Sequence, residues 1–175
     1  MRITASSGLR AAVTAGLVAG TIDIGAACLI NSRGPAIILH NIASGVLGRA
    51  SFTLGAPAAA LGLVLQWLMS TLIAAIYLLA TASAPSLRRR WWLGGIVAGI
   101  VIFLVMNFVV VPLSAAPVTL SQIVAYLRPA KALENLAAML LFGWIVAFCA
   151  RPPATSPSAA ARPAKPDAGV GPAAG

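Results

Sequence analysis

Apolar residues run with little interruption through four stretches of the chain, Leu9–Ile30, Pro57–Ala82, Leu93–Pro112 and Ala132–Ala150. Roughly 20 apolar residues, rising 1.5 Å each, cover the ~30 Å hydrocarbon core of a bilayer, so each stretch predicts a membrane-spanning helix. Their borders carry matching chemistry. Pro57 opens the second span, where its missing N–H costs nothing. Trp91 and Trp92 stand at the start of the third, suiting an interfacial aromatic belt, and Pro112 ends it. Lys131 and Arg151 bracket the fourth.

Two shorter segments alternate at helical spacing. Over 35–48, Ile38, Leu39, Ile42 and Val46 fall on one face and His40, Asn41 and Ser44 on another. This is too short to span and closes at Arg49, which predicts an interfacial or re-entrant helix. Over 118–127, Thr119-Leu-Ser-Gln122 has the form of a capping box, with apolar Leu120, Ile123, Val124 and Leu127 following before Arg128-Pro129. The expected fold is all-α: a four-transmembrane-helix bundle over 1–150 with two outer amphipathic helices.

The order span, outer helix, span occurs twice, and Gly16-Leu-Val-Ala-Gly20 of the first span answers Gly95-Ile-Val-Ala-Gly99 of the third. A parallel duplication is one reading. The other is that small-residue spans look alike in any chain rich in Ala and Gly. From Arg151 the pattern dissolves. Half of the 12 prolines lie in the last 25 residues with Ala, Gly and Ser, so 151–175 reads as a disordered tail.

Composition sharpens the assignment. A hydrophobic content of 60% and a mean hydropathy of +0.96 exceed what a soluble domain of 175 residues can bury, since such domains are roughly half apolar. The net charge of +9 raises nucleic acid as a partner. The arginines, however, flank apolar runs and form no aromatic-interleaved patch, so the bilayer is the expected partner and nucleic acid is not. Arg2, Arg10, Arg88, Arg89, Arg90, Arg151, Arg162 and Lys165 fall on one side of the membrane, against Arg33, Arg49, Arg128 and Lys131 on the other. The positive-inside bias then puts both termini in the cytoplasm, with Arg88–Arg90 deciding most of the orientation.

Arg2 and Arg10 precede the first apolar run, and Ala26-Ala27-Cys28 faintly resembles a lipoprotein cleavage site. Gly25 stands where a large aliphatic is expected and Asp23 interrupts the run, which favours an uncleaved first span. Cys28 and Cys149 lack CxxC spacing and fall near opposite membrane faces, too far apart for a disulfide. One histidine and three acids argue against a conventional metal site, and no cofactor motif occurs.

Asp23 is the costly residue. An acid at a helix centre costs about 2.5–3.5 kcal/mol, and the eight Val, Leu and Ile residues of the first span return about 0.3–0.6 each. That helix needs neighbours. Gly16, Gly20, Asp23 and Ala27 share one helical face, which permits close packing and turns the acid into the bundle. Gly95 and Gly99 offer the third span a similar face, for packing within the chain or against a second copy.

At 1.5 Å per residue, Asp23 and Gln66 lie about 5 Å outside the midplane, Asn107 about 7 Å and Asn135 about 9 Å, with Glu134 slightly farther. Each span thus contributes a strong hydrogen-bonding side chain to the outer half, and the inner half has essentially none. His40 reads as a polar-face residue, and Glu134 suits a pairing with Lys131 or Arg128.

The segments AGTIDIGAA (Ala19–Ala27), IASGVLGRASF (Ile42–Phe52) and VMNFVVVPLSA (Val105–Ala115) resemble a family of four-span bacterial inner-membrane proteins with no established activity. The likeness covers Leu9 to about Ala150 and implies the same architecture and location. In that family a histidine commonly stands near the positions of Gln66 and Ala138. This sequence departs at both, so an Asp–His metal or proton site does not carry over.

Two functions fit these residues. One is a structural or interaction component of the envelope, alone, as a homo-oligomer or with other membrane proteins, whose polar layer fixes helix register. The other is a small transporter or channel-like protein using Asp23 as a proton or cation site. An enzyme is disfavoured because no nucleophile–base pair is present.

Overall fold

The computed structural model describes residues 5–117 and 128–151, among which regular structure is entirely helical. Helix α1 covers Ala5–Asn31, α2 Pro35–Leu47, α3 Ala56–Ala82, α4 Pro85–Arg89, α5 Trp91–Val105 and α6 Pro129–Cys149. A 3-10 segment, Gly48–Phe52, follows α2, and α5 continues through a π-helical stretch, Met106–Val110, into a last turn, Val111–Leu113. Among the described residues four helices are long and apolar enough to cross a membrane: Gly8–Asn31, Ala56–Ala82, Trp91–Leu113 and Pro129–Cys149. The expected four-span helical membrane fold is present. The second outer helix expected over 118–127 and the tail over 152–175 lie outside the described residues.

Proline sets several helix starts. Pro35, Pro57, Pro85 and Pro129 all sit in the first turn of their helices, where a missing donor is harmless. Pro129 therefore begins α6 three residues ahead of the expected Ala132. The link between α2 and α3 is bounded by Gly48 and Gly55, whose φ values of +57° and +63° lie in the region that side chains with a Cβ avoid. His40 ties this link down, its Nε2 lying 2.9 Å from the carbonyl of Gly55 and its ring edge-on to Phe52.

The helices pack in the spatial order α2, α3, α1, α6, α5, and α4 bridges α3 to α5. Lipid tails are as apolar as leucine, so packing between spans depends on close van der Waals approach through small residues. The glycines provide it. A Cβ at Gly16 would collide with the backbone of Thr71, and one at Gly20 would lie 2.6 Å from Ser70 Oγ. These two glycines dock α1 on α3. On the other side, Gly95 meets Trp144, Gly99 meets Met139 and Leu140, and Gly143 fits against the backbone of Gly95 and Gly99. The two similar pentapeptides thus do the same work, each seating the first span of its half on the second. These contacts lie within one chain, so the glycine faces are not free surfaces for a second copy.

The buried apolar core, including Ala12, Ala15, Ala74, Leu78, Val146 and Ala147, fills the end of the bundle that also holds Arg89, Arg90 and Arg151. This is called the arginine end below, and the opposite one the α2 end. Helix α2 lies mainly against α3, with the Leu39 carbonyl pressed on Gly62. Leu39 and Ile42 of its apolar face are half-buried. Ile38, Ala43 and Ser44 are buried, whereas Val46 is 62% exposed. Small side chains permit the closer approach, and the Ser44 hydroxyl donates to the Asn41 carbonyl at 2.6 Å, so its burial leaves no donor unmet.

Candidate functional site

With the observed helix limits, Asp23, Gln66, Asn107 and Asn135 lie about 5, 5, 8 and 6 Å from the centres of their spans, all toward the α2 end. The earlier start of α6 brings Asn135 closer to the midplane than expected. The four side chains are joined as two separate pairs.

In the first pair, Gln66 Nε2 of α3 donates to Asp23 Oδ2 of α1 at 2.8 Å. The packing of Gly16 and Gly20 on Ser70 and Thr71 produces this meeting, because α1 and α3 run antiparallel. Asp23 lies one turn beyond Gly20, and Gln66 one turn before Ser70. Trp67 Nε1 also donates to Thr21 Oγ1 at 3.1 Å, and Thr21 keeps its own donor on the Leu17 carbonyl at 2.8 Å. The same helix interface thus has two polar ties. Thr21 and Trp67 were not singled out from the sequence, although each adjoins or nearly adjoins a member of the first pair.

In the second pair, Asn135 Nδ2 of α6 donates to Asn107 Oδ1 of α5 at 3.3 Å. Asn107 sits inside the π-helical stretch and spends its own amide on the Phe103 carbonyl at 2.8 Å, leaving its oxygen to face α6. Among the described residues no hydrogen bond joins one pair to the other.

Asp23 also borders a narrow crevice between α1 and α6, lined by Ala19, Ile22, Ala26, Ala138, Leu141, Phe142 and Ile145. The crevice leaves no room for a water molecule. Gln66 and Ala138, where the resemblance would place histidines, both stand near Asp23, one as hydrogen-bond partner and the other across this crevice. With a glutamine and an alanine there, Asp23 accepts from an amide and remains partly exposed.

Other candidate residues fall elsewhere. Lys131 Nζ donates to Glu134 Oε2 and to the Ile30 carbonyl in the last turn of α1, both at 2.8 Å, so it caps α1 from α6 at the α2 end. Lys131 is the partner of Glu134 that the sequence left open between Lys131 and Arg128. This pair is nearly half exposed and contributes little stability. Cys28 and Cys149 are both free thiols. Among the described residues, no three of His, Cys, Asp and Glu come together as metal ligands.

No protein-family model, curated protein or solved structure matches this chain, so its own geometry carries the functional reading.

Proposed function

We propose that this chain is a multi-pass protein of the bacterial cytoplasmic membrane, with both termini cytoplasmic, that serves as a non-enzymatic structural or interaction component of the envelope. Asp23 acts in it as a helix-pairing acid. The observation that carries this is the setting of Asp23, whose carboxylate accepts from Gln66 and which borders a crevice too narrow for water. A proton or cation site needs a path for its ligand, whereas a helix tie needs only its partner. The orientation is supported by the gathering of Arg10, Arg89, Arg90 and Arg151 at one end of the bundle. The bacterial inner membrane is supported by the resemblance of the Asp23, Ile42–Phe52 and Val105–Ala115 segments.

The test is flux. The full chain and its Asp23→Asn variant, reconstituted in liposomes enclosing a pH-sensitive dye, are expected to leak protons at the same rate under an imposed gradient. A proton or monovalent-cation flux that disappears with Asp23→Asn would overturn the structural account in favour of a transporter.

A further inference from the structure

The arginine end carries positive charge that the described chain does not neutralise. The protein has three acids, Asp23, Glu134 and Asp167. Asp23 is bonded to Gln66 nearer the middle of the bundle, and Glu134 is bonded to Lys131 at the opposite end. Asp167 lies outside the described residues. Arg89, Arg90 and Arg151 are all exposed, and among the described residues none has a carboxylate within ion-pair distance.

Arg151 is held by an aromatic contact where α6 ends, and the chain neighbour of Arg90, Trp91, joins the same aromatic group where α5 begins. The Arg151 guanidinium lies 3.8 Å from the centre of the Phe148 ring. Phe148 in turn meets Trp91 edge-to-face at 5.6 Å. Trp91 directly follows Arg89 and Arg90, and Trp144 Nε1 donates to the Trp92 carbonyl at 3.1 Å, fixing the start of α5 on α6. The cation–π contact orients Arg151 without consuming its hydrogen-bond donors. Tryptophan at a span end marks headgroup depth, where lipid phosphates lie. Guanidinium groups suit phosphate because their donors match its oxygens two at a time.

We propose that this α5–α6 corner binds the phosphate headgroup of an anionic phospholipid between Arg151 and the Arg89–Arg90 pair. The acyl chains lie along the exposed α5 stripe of Val97, Val101 and Leu104. An interhelical basic site next to an apolar face distinguishes a lipid from a soluble anion, since both parts of the ligand are met.

The test is a lipid titration of the detergent-solubilised full chain followed by native mass spectrometry, using phosphatidylglycerol and phosphatidylcholine. Phosphatidylglycerol is expected to bind more tightly. Arg151→Gln should weaken it about fivefold, the effect of one arginine at an anionic headgroup. Phe148→Leu leaves the charge unchanged but frees Arg151, and should also weaken phosphatidylglycerol binding. Arg49→Gln removes an equal charge at the α2 end and should leave binding unchanged. Equal losses from Arg49→Gln and Arg151→Gln would overturn the proposal by showing general charge attraction. An unchanged affinity in Phe148→Leu would overturn the aromatic placement of Arg151. Displacement of the lipid by millimolar inorganic phosphate would overturn the lipid as the ligand.

Discussion

Gly143→Leu is expected to unseat α5 from α6 and to be the most damaging single substitution in the membrane domain. A Cβ at Gly143 would lie 2.6 Å from the Gly99 amide nitrogen and closer still to the Gly95 carbonyl. Both obstacles are backbone, so no rotamer change relieves them and the helices must separate. Overpacking of a tight interface costs about 1–3 kcal/mol, and occasionally more, before the larger side chain is placed. Since α6 is the principal neighbour of α5, separation also removes the support of Asn107 by Asn135. Unfolding in mixed micelles should show a loss of about 3 kcal/mol or more. Gly25→Ala provides the internal contrast. Nothing lies within 4 Å of its added methyl group, so it should be neutral or stabilise α1 by up to about 1 kcal/mol. Similar losses from both variants would show that glycine content, and not the fit at Gly143, governs stability.

The second large expectation concerns the Asp23–Gln66 pair and appears as a reversal of sign. Gln66→Leu leaves the Asp23 carboxyl without its α3 donor in a hydrocarbon setting and should destabilise the protein by about 1–3 kcal/mol. Replacing both partners, Asp23→Leu with Gln66→Leu, removes the acid as well as its need for a partner. An acid within a span costs about 2.5–3.5 kcal/mol to insert, so the double variant should be at least as stable as the parent. The coupling between the sites should fall near 0.6–1.7 kcal/mol, roughly the range of interhelical hydrogen bonds in membranes. Independent, additive effects in a double-mutant cycle would show that the 2.8 Å contact is not energetically significant.

The spans were legible from the sequence because lipid demands an apolar run of a set length, and the depth of Asp23, Gln66, Asn107 and Asn135 followed from counting residues along those runs. Partner choice was not legible. Which polar groups meet depends on how helices dock, and the docking depends on Gly143 and Gly62 as much as on the more conspicuous Gly16–Gly20 and Gly95–Gly99 pairs. A lone glycine within a span shows no spacing pattern, so these two gave no separate signal. The buried positions of α2 show the same limit: besides Ile38 they are Ala43 and Ser44, small residues that hydropathy does not mark but close approach requires. The π-helical stretch around Asn107 had no visible signature beyond the polar residue itself. Arg89 and Arg90, an orientation signal in the sequence, gain local meaning because the next residue, Trp91, packs on the Phe148 ring that carries Arg151.

The central claim is that the polar layer ties helices together in a dry interior. Its most direct test is labelling by a membrane-impermeant maleimide of single cysteines placed at Gln66 and Asn107, with Cys28 and Cys149 replaced by alanine. Leu54→Cys, at a position 51% exposed near the α2 end, serves as the reactive reference. Protection of both interior cysteines from reagent added at the α2 end, with rapid labelling at position 54, is the result expected of a dry layer. Labelling of Gln66→Cys and Asn107→Cys at rates comparable to the reference would reveal a water-filled cavity reaching Asp23 and would contradict the account.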